Sequence, residues 1–409
     1  MGKRFHWAWL IVMTSFMTVF TYFSIRMTYS ILMPEMIVGL RITKAQAGVI
    51  ASSFFFTYTV LTPFLGFLVD RVSARRLLPA FGLVHGVGTF LMGTPSSFSE
   101  ACLFFAVVGA GSSAMYVPVM TLVQRWFSAR HRGMALGILS MSWTLGYALM
   151  GLILPPLVAW YDWRTCWFIL SGLAFALVPI NGILMRSTPE ELNLRPWGDE
   201  PSHPLNGNDA EPKRRLRYSE ILKLPNLWII TFSYFMMAFS VYVVSTFIVT
   251  YANMELEFSF PSSALLASAI AFSGMAGGFL IPVLSDTFGR RKCLILNNLF
   301  LAGSIIPITL VGNRWGLLLA AACIFGFFFT ASWPMYAAAA GDFFPRGATG
   351  SVLGLWGFFY GMGVMLGPTL GGIMADLTGT FRYSFYMAAG VSALSAVFLL
   401  WVKEPPRDS

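Results

Sequence analysis

"GFLVDRVSARR", residues 66–76, returns 216 residues later as "PVLSDTFGRRK", residues 282–292, with Asp70 matched by Asp286. Pro118 and Pro334 stand at the same offset, and "RHRGMALGIL" (130–139) aligns with "PRGATGSVLG" (345–354) so that Arg132-Gly133 pairs with Arg346-Gly347 at 214. Several matches at nearly one spacing mean that the chain is built twice. Each copy of the charged stretch lies between long apolar runs, so the repeated unit is made of hydrophobic helices and their loops.

Those runs define the class. Of 409 residues, 56% are hydrophobic and 11% charged, against about 25% charged in soluble domains. A membrane helix needs about 20 apolar residues. Runs of that kind occupy 9–37, 45–69, 77–94, 99–122, 133–160, 164–185, 226–252, 262–285, 292–312, 315–340, 348–373 and 382–402. Strands of a β-barrel would alternate and be about half as long. The expected fold is an all-α membrane protein with twelve transmembrane helices in two pseudo-symmetric six-helix bundles. The bundles take residues 1–186 and 224–409, joined by a linker at 187–223 with five prolines and both charge signs. Such a segment reads as a solvated connection. Its basic end, Lys213–Arg217, is either ordinary loop charge or a contact with anionic lipid heads.

The net charge of +9 is a matter of sidedness. Under these spans 21 Lys and Arg fall on the side of the N-terminus and five on the other: Arg41, Lys44, Arg164, Arg314 and Arg382. Both termini and the linker are therefore expected in the cytoplasm, with the chain a multi-pass protein of the cell membrane. Nucleic acid is not an expected partner; the lipid bilayer is. Lys3 and Arg4 precede the first run as in a signal peptide, but the run is too long and lacks a small-x-small cleavage site. Its retention is expected.

Other chemistry is sparse. Cys102, Cys166, Cys293 and Cys323 show no metal or redox spacing. His85 is a lone histidine in an apolar run. No Gly-rich loop ending in Gly-Lys-Ser/Thr occurs, and "GAGSSA" (109–114) has no strand before it, so its small residues read as helix contacts. No acid/base or nucleophile constellation marks an enzyme, and no cofactor or metal is expected.

The repeated loop carries a resemblance. It is similar to G-x-x-x-D-R-x-G-R-R, a mark of the major facilitator superfamily, and the chain resembles that family over its whole length. The first copy keeps Gly66, Asp70, Arg71 and Arg75 but has Ser73 and Ala74; the second keeps Asp286, Gly289, Arg290 and Arg291 but has Pro282 and Thr287. The resemblance implies a conformational latch at Asp70, Arg71, Asp286 and Arg290. "QRWFSARHRGMALGI" and "LILPPLVAWYDWRTCWF" followed by "STPEELNLRPWGDE" look like bacterial monocarboxylate and oxalate/formate carriers. "RMTYSILMPEM" looks more like organophosphate antiporters and anion/cation symporters, which carry an arginine at this place.

That arginine is Arg26, about halfway along the first run. Burying Arg at mid-membrane costs about 2.5 to 3.5 kcal/mol on insertion scales. Either surface is roughly 20 Å away, beyond the reach of the side chain. A permanent guanidinium aimed into a wet cavity suits bidentate capture of a carboxylate or phosphate. Tyr22 and Tyr29 fall at i−4 and i+3 from it. Tyr116, Trp143, Tyr147, Tyr242, Trp333, Tyr336 and Tyr360 lie at middle depth on helices that line the cavity in the resembled family. For each aromatic, packing is the competing role. The organophosphate antiporters place a second arginine in the seventh helix, which here has none. Proton-coupled relatives place acids where this chain has Ile25 and Ser113. The expected function is secondary active transport of a small organic anion, a monocarboxylate first, by alternating access, in a monomer. A proton or a counter-anion is the coupling partner. The alternatives are a dicarboxylate or organophosphate exchanger and a transporter-like sensor without flux. Gly-rich 361–372 reads as a close-packing segment.

Overall fold

The computed structural model describes residues 6–115, 117–199, 220, 222–344 and 349–403. Among the described residues the chain is helical almost throughout. The α-helices are α1 (Trp7–Leu40), α2 (Lys44–Arg71), α3 (Ala74–Leu91), α4 (Phe98–Ser112), α5 (Val117–Trp126), α6 (Ala129–Trp160) and α7 (Trp163–Leu184). After a 3-10 turn at Pro189–Leu192 come α8 (Pro225–Met254), α9 (Phe260–Phe288), α10 (Arg290–Leu310), α11 (Trp315–Phe343), α12 (Thr349–Thr378) and α13 (Phe381–Leu399). In hydrocarbon every backbone N–H and C=O must pair within the chain, and a helix does this locally. The starts are written in polar residues. Ser97, Asp162 and Ser259 accept with their side chains from the N–H of Glu100, Thr165 and Ser262, capping α4, α7 and α9. Gly289 separates α9 from α10 at φ 97°, a backbone state that favours glycine.

Nine of these helices are long and apolar enough to cross a membrane by themselves. The remaining crossings are α3, the α4–α5 pair and α13, giving twelve. One expectation needs correction: the run 99–122 is not one helix. α4 ends at Ser112, and Ser113–Met115 form a turn before α5. Ser112 Oγ donates to the carbonyl of Val108, four residues back, and Ser113 Oγ to that of Ala110, three residues back. Such bonds compete with the helix ladder.

The chain divides into two compact units. In the first, α1 packs with α6 and α7, and α3 with α4 and α7. In the second, α8 packs with α12 and α13, and α10 with α11 and α13. Position for position these are the same pairings, so the sequence repeat is also a repeat of contacts. Residues 41–52, the loop before α2 and its first turns, group with the second unit. There Asp376 accepts from the N–H groups of Lys44 and Ala45, at 3.0 and 2.9 Å, and caps α2. Glu255 does the same for Phe381 at the start of α13, and also receives Lys44 Nζ.

The Gly-rich stretch of α12 is a packing surface. A Cβ on Gly363 would lie 2.4 Å from Phe235 O, and one on Gly367 would lie 2.7 Å from Phe239 O, so α12 and α8 meet backbone to backbone.

The beginning of the 187–223 stretch is not solvated throughout. Trp197 N donates to Trp126 O and Ser128 N donates to Trp197 O. Its ring sits 5.2 Å from Trp9 and 4.6 Å from His131. A large indole found an apolar seat on the first unit, which outweighs the polar composition around it. Residues 200–219, with Lys213–Arg217, and 345–348, with Arg346, lie outside the described residues.

Candidate functional site

Arg26 stands 19 residues after Trp7 and 14 before Leu40 on α1. At about 1.5 Å per residue it is more than 20 Å from either helix end. The side chain is half-buried. Three phenylalanines surround it: its Cζ lies 5.0 Å from the Phe23 ring, 5.8 Å from Phe54 and 4.7 Å from Phe55. Phe23 comes from the preceding turn of α1 and the other two from α2. Cation–π attraction of this kind is worth about 0.5 to 2 kcal/mol per contact, more where water is excluded. Rings cannot accept the in-plane hydrogen bonds of a guanidinium, so this cage steadies the charge without consuming its donors.

The aromatics named from the sequence divide around this cage. Phe23 packs edge-on against Trp143 of α6, centroids 5.6 Å apart. Tyr29 is buried and stacks at 4.7 Å on Phe105 of α4, which in turn lies 5.1 Å from Phe54. Tyr29 thus backs the cage. Tyr22 is 2% exposed, and its ring turns to His85 of α3 at 6.1 Å. Tyr147 is buried on α6. The close approach of α6 to α1 is set at Gly146, where a Cβ would meet Phe20 O at 3.0 Å. Tyr116 lies outside the described residues.

In the second unit Tyr242 of α8, Trp333 of α11 and Tyr360 of α12 come together. Tyr360 Oη donates to Tyr242 Oη at 3.4 Å, and the Trp333 and Tyr360 rings are 5.5 Å apart. At their centre is Tyr234, which the sequence did not single out. It lies 4.9 Å from Tyr360, 4.5 Å from Tyr336 and 6.3 Å from Trp333. Tyr336 is fully buried, and its hydroxyl belongs to a polar network. It pairs with Ser233 Oγ at 2.6 Å and accepts from Asn298 Nδ2 at 2.8 Å. Asn298 also donates to Ser395. That hydroxyl ties α8, α10, α11 and α13 together.

The charged loop of the second repeat closes on itself. Arg290 donates from Nη2 to Asp286 at 2.6 Å and from Nε to Asp342 at 2.7 Å. Asp342 stands near the end of α11. In the first repeat Asp70 sits in the last turn of α2, its side chain outside the described residues, and Arg71 is exposed.

The profile of the Major Facilitator Superfamily matches residues 14–296 and 255–409. The chain belongs to that superfamily. A "Probable hexose phosphate transport protein" of Chlamydia trachomatis is 27% identical over 405 residues, covering 93% of this chain and 87% of that one. The "Membrane sensor protein UhpC" of Salmonella typhimurium is 25% identical over 420 residues, covering 98% and 93%. Among solved structures, a variant of the nucleoside transporter NupG superposes with a TM-score of 0.78 at 13% identity, over 96% of this chain and 100% of that one.

Three features of this superfamily member emerge only from its packing: the Phe cage, Tyr234 and the place of Asp342. A guanidinium at mid-helix was visible as a lone charge in an apolar run. The Phe54-Phe55 pair gave no such signal, because phenylalanine in a membrane helix is ordinary.

Proposed function

We propose that this superfamily member is a secondary active transporter of small organic anions, with Arg26 as the group that binds the negative charge. The single observation that carries the reading is a guanidinium more than a side-chain length from either end of α1 and held among Phe23, Phe54 and Phe55. An apolar cage around a fixed charge gives an anion a desolvated, planar partner for a carboxylate or phosphate. The similarity to a hexose phosphate transport protein supports the anion class. A monocarboxylate is the first substrate class to test, because α8, the seventh apolar run, adds no second arginine. The similarity to that relative favours organophosphate exchange as the second reading. Trp143 and Tyr29 back the rings around the charge through Phe23 and Phe105, Tyr147 is the further candidate on α6, and Tyr242, Trp333 and Tyr360 are the candidates of the second unit. Tyr22 and Tyr336 serve packing and the internal network. Asp70, Arg71, Asp286 and Arg290 act in alternation of access, with both termini in the cytoplasm.

The test is a thermal-shift screen of the purified protein against monocarboxylates, dicarboxylates and organophosphates, since a ligand of the folded state raises apparent stability. One class should raise the midpoint of the native chain and leave Arg26→Ala unmoved. A shift retained in Arg26→Ala overturns the assignment of Arg26. The similarity to a membrane sensor makes flux a separate question. Counterflow in proteoliposomes answers it, and binding without counterflow would make the chain a sensor. Cysteine at Ser202 should resist impermeant thiol reagents in intact cells; ready labelling would reverse the orientation.

A further inference from the structure

We propose that each half of the chain carries one binding site for an anionic phospholipid, whose phosphate is held by Arg76 in the first half and by Lys292 in the second.

Each half opens its third membrane helix with two adjacent cations, Arg75-Arg76 on α3 and Arg291-Lys292 on α10. Successive residues of a helix point about 100° apart, so the two members of each pair turn different ways. The first is spent inside the protein: Arg75 Nε donates to Gly182 O of α7, and Arg291 Nε to Leu399 O of α13. The second, Arg76 or Lys292, is exposed, and its side chain makes no ion pair or hydrogen bond among the described residues.

Behind this second cation runs a stripe of exposed apolar residues. Steps of four and three lead from Arg76 to Ala80, Leu83, Val87 and Phe90, all exposed. The same steps lead from Lys292 to Leu296, Leu299, Gly303 and Ile306, again all exposed. Positions at these spacings share one face of a helix. The residues between them are packed inward, His85, Gly88 and Thr89 on α3 and Leu294, Asn297 and Asn298 on α10, so the stripe is the lipid side of each helix. At about 1.5 Å per residue the stripe is about 21 Å long, somewhat more than half of the roughly 30 Å of hydrocarbon in a bilayer. It is deep enough for the chains of one leaflet.

A further cation stands at the same end of each half, Arg186 just after α7 and Lys403 just after α13. Ser187 Oγ accepts from Ala74 N at 2.9 Å, which brings the chain leaving α7 back beside Arg75-Arg76. The Asn226 side chain holds Lys403 by its N–H and its carbonyl, at 3.0 and 2.7 Å, at the end of the helix that Arg291 caps. Glu190 and Glu191 lie in the turn after α7, whereas among the described residues no carboxylate follows α13. The second site is therefore the more positive. Loop charges that only set orientation need keep no register with an exposed apolar face. A cation at the top of a leaflet-deep apolar stripe, preserved in both halves, complements an amphiphile with a negative head. The phosphate pairs with the guanidinium or ammonium, and the acyl chains lie along the stripe. A zwitterionic lipid brings its own ammonium next to the cation and gains less.

Native mass spectrometry of the full chain released from detergent, titrated with dioleoylphosphatidylglycerol and separately with dioleoylphosphatidylcholine, tests the sites. The expected result is two bound phosphatidylglycerol molecules, each held more tightly than phosphatidylcholine. Arg76→Gln and Lys292→Gln should each weaken one of the two by about five-fold, the worth of one cation at an anionic head, and the double variant should weaken both. Arg76→Lys and Lys292→Arg keep the charge and should bind as the native chain does. Equal binding of the two lipids, or phosphatidylglycerol binding unchanged in the double variant, overturns the sites and leaves only the contact of bulk lipid. Glycerol 1-phosphate, a head without chains, separates a lipid from a soluble phosphate. In excess it should leave the bound lipid in place, and displacement would overturn the lipid as occupant. Both positions are exposed, so thermal midpoints of the Gln variants in lipid-free detergent should equal that of the native chain; a clear fall would show that these cations serve the fold, and would overturn their assignment to a lipid.

Discussion

Arg75 and Arg291, 216 residues apart, do the same job in the two halves. Each aims its Nε at the last carbonyls of the sixth membrane helix of its own half: Arg75 at Gly182 O of α7, 2.8 Å, and Arg291 at Leu399 O of α13, 3.3 Å. Helix C-termini carry partial negative charge and unmet carbonyls, and a cation there satisfies both. The repeat thus preserves a capping interaction even where it loses motif letters. Arg75→Ala and Arg291→Ala should each lower stability by about 0.3 to 1 kcal/mol, additively because the sites are separate. Thermal unfolding of both single variants and the double variant checks this; a double variant much worse than the sum would mean that the sites are linked.

The Arg26 cage predicts a difference between charge and shape. Arg26→Lys keeps the charge but loses the planar fork, so anion affinity should fall strongly, approaching Arg26→Ala. For Arg26→Ala the loss should be roughly 2 to 5 kcal/mol, about 30-fold to several thousand-fold. Arg26→Ala should reach the membrane, since removing a charge from mid-helix relieves an insertion cost, and Arg26→Lys, which keeps the charge, should reach it as the native chain does. Binding curves set beside expression levels decide it, and normal affinity in Arg26→Lys would reduce the site to simple charge attraction.

Asp342 joins Asp286 on Arg290, which makes the second loop a three-residue cluster. Turnover of Asp342→Asn should fall as far as that of Asp286→Asn, with substrate affinity retained. Exposed pairs contribute about 0.2 to 1 kcal/mol, so each double-mutant cycle with Arg290→Ala should return a coupling of that size. A cycle near zero for Asp342 would show that its contact with Arg290 does not matter energetically.

At the α8–α12 contact there is no room for a side chain. Gly363→Leu and Gly367→Leu must push Phe235 and Phe239 backbone aside, at about 1 to 3 kcal/mol each. Gly354→Ala, where an added Cβ meets nothing within 4 Å, is the control. Equal thermal midpoints for all three would contradict the packing.

Asp162 caps α7 by accepting from Thr165 N at 2.7 Å, and this bond holds its carboxyl below the usual carboxylate range. A depressed folded-state value stabilises the fold above the unfolded value of about 3.9. That contribution disappears as the pH falls through the folded value. Asp162→Ala should cost about 0.5 to 2 kcal/mol at neutral pH, and the difference from the native chain should shrink in acid. Unfolding midpoints measured from neutral to strongly acidic pH read it directly; a constant difference would rule out the carboxylate as the cause.

The sequence by itself determined the class, the twelve crossings, the two-fold repeat and the mid-membrane position of Arg26. All four follow from local facts: a run of apolar residues long enough to span hydrocarbon, a spacing between like segments, a charge counted along one helix. What only the tertiary structure decided is which way each helix turns its side chains. α1 and α8 are apolar nearly all round, so no stripe in their sequence announces an inner face. Tyr22 and Tyr29 share the neighbourhood of Arg26 in register, yet one turns to His85 and the other to Phe105. Tyr234 lies at the centre of an aromatic group that its own helix gives no reason to expect. Phe54, Phe55, Asp342 and Trp197 became meaningful only when distant segments met them. The rotation of a helix about its axis is set by the shapes packed against it, and those shapes lie tens to hundreds of residues away in the chain.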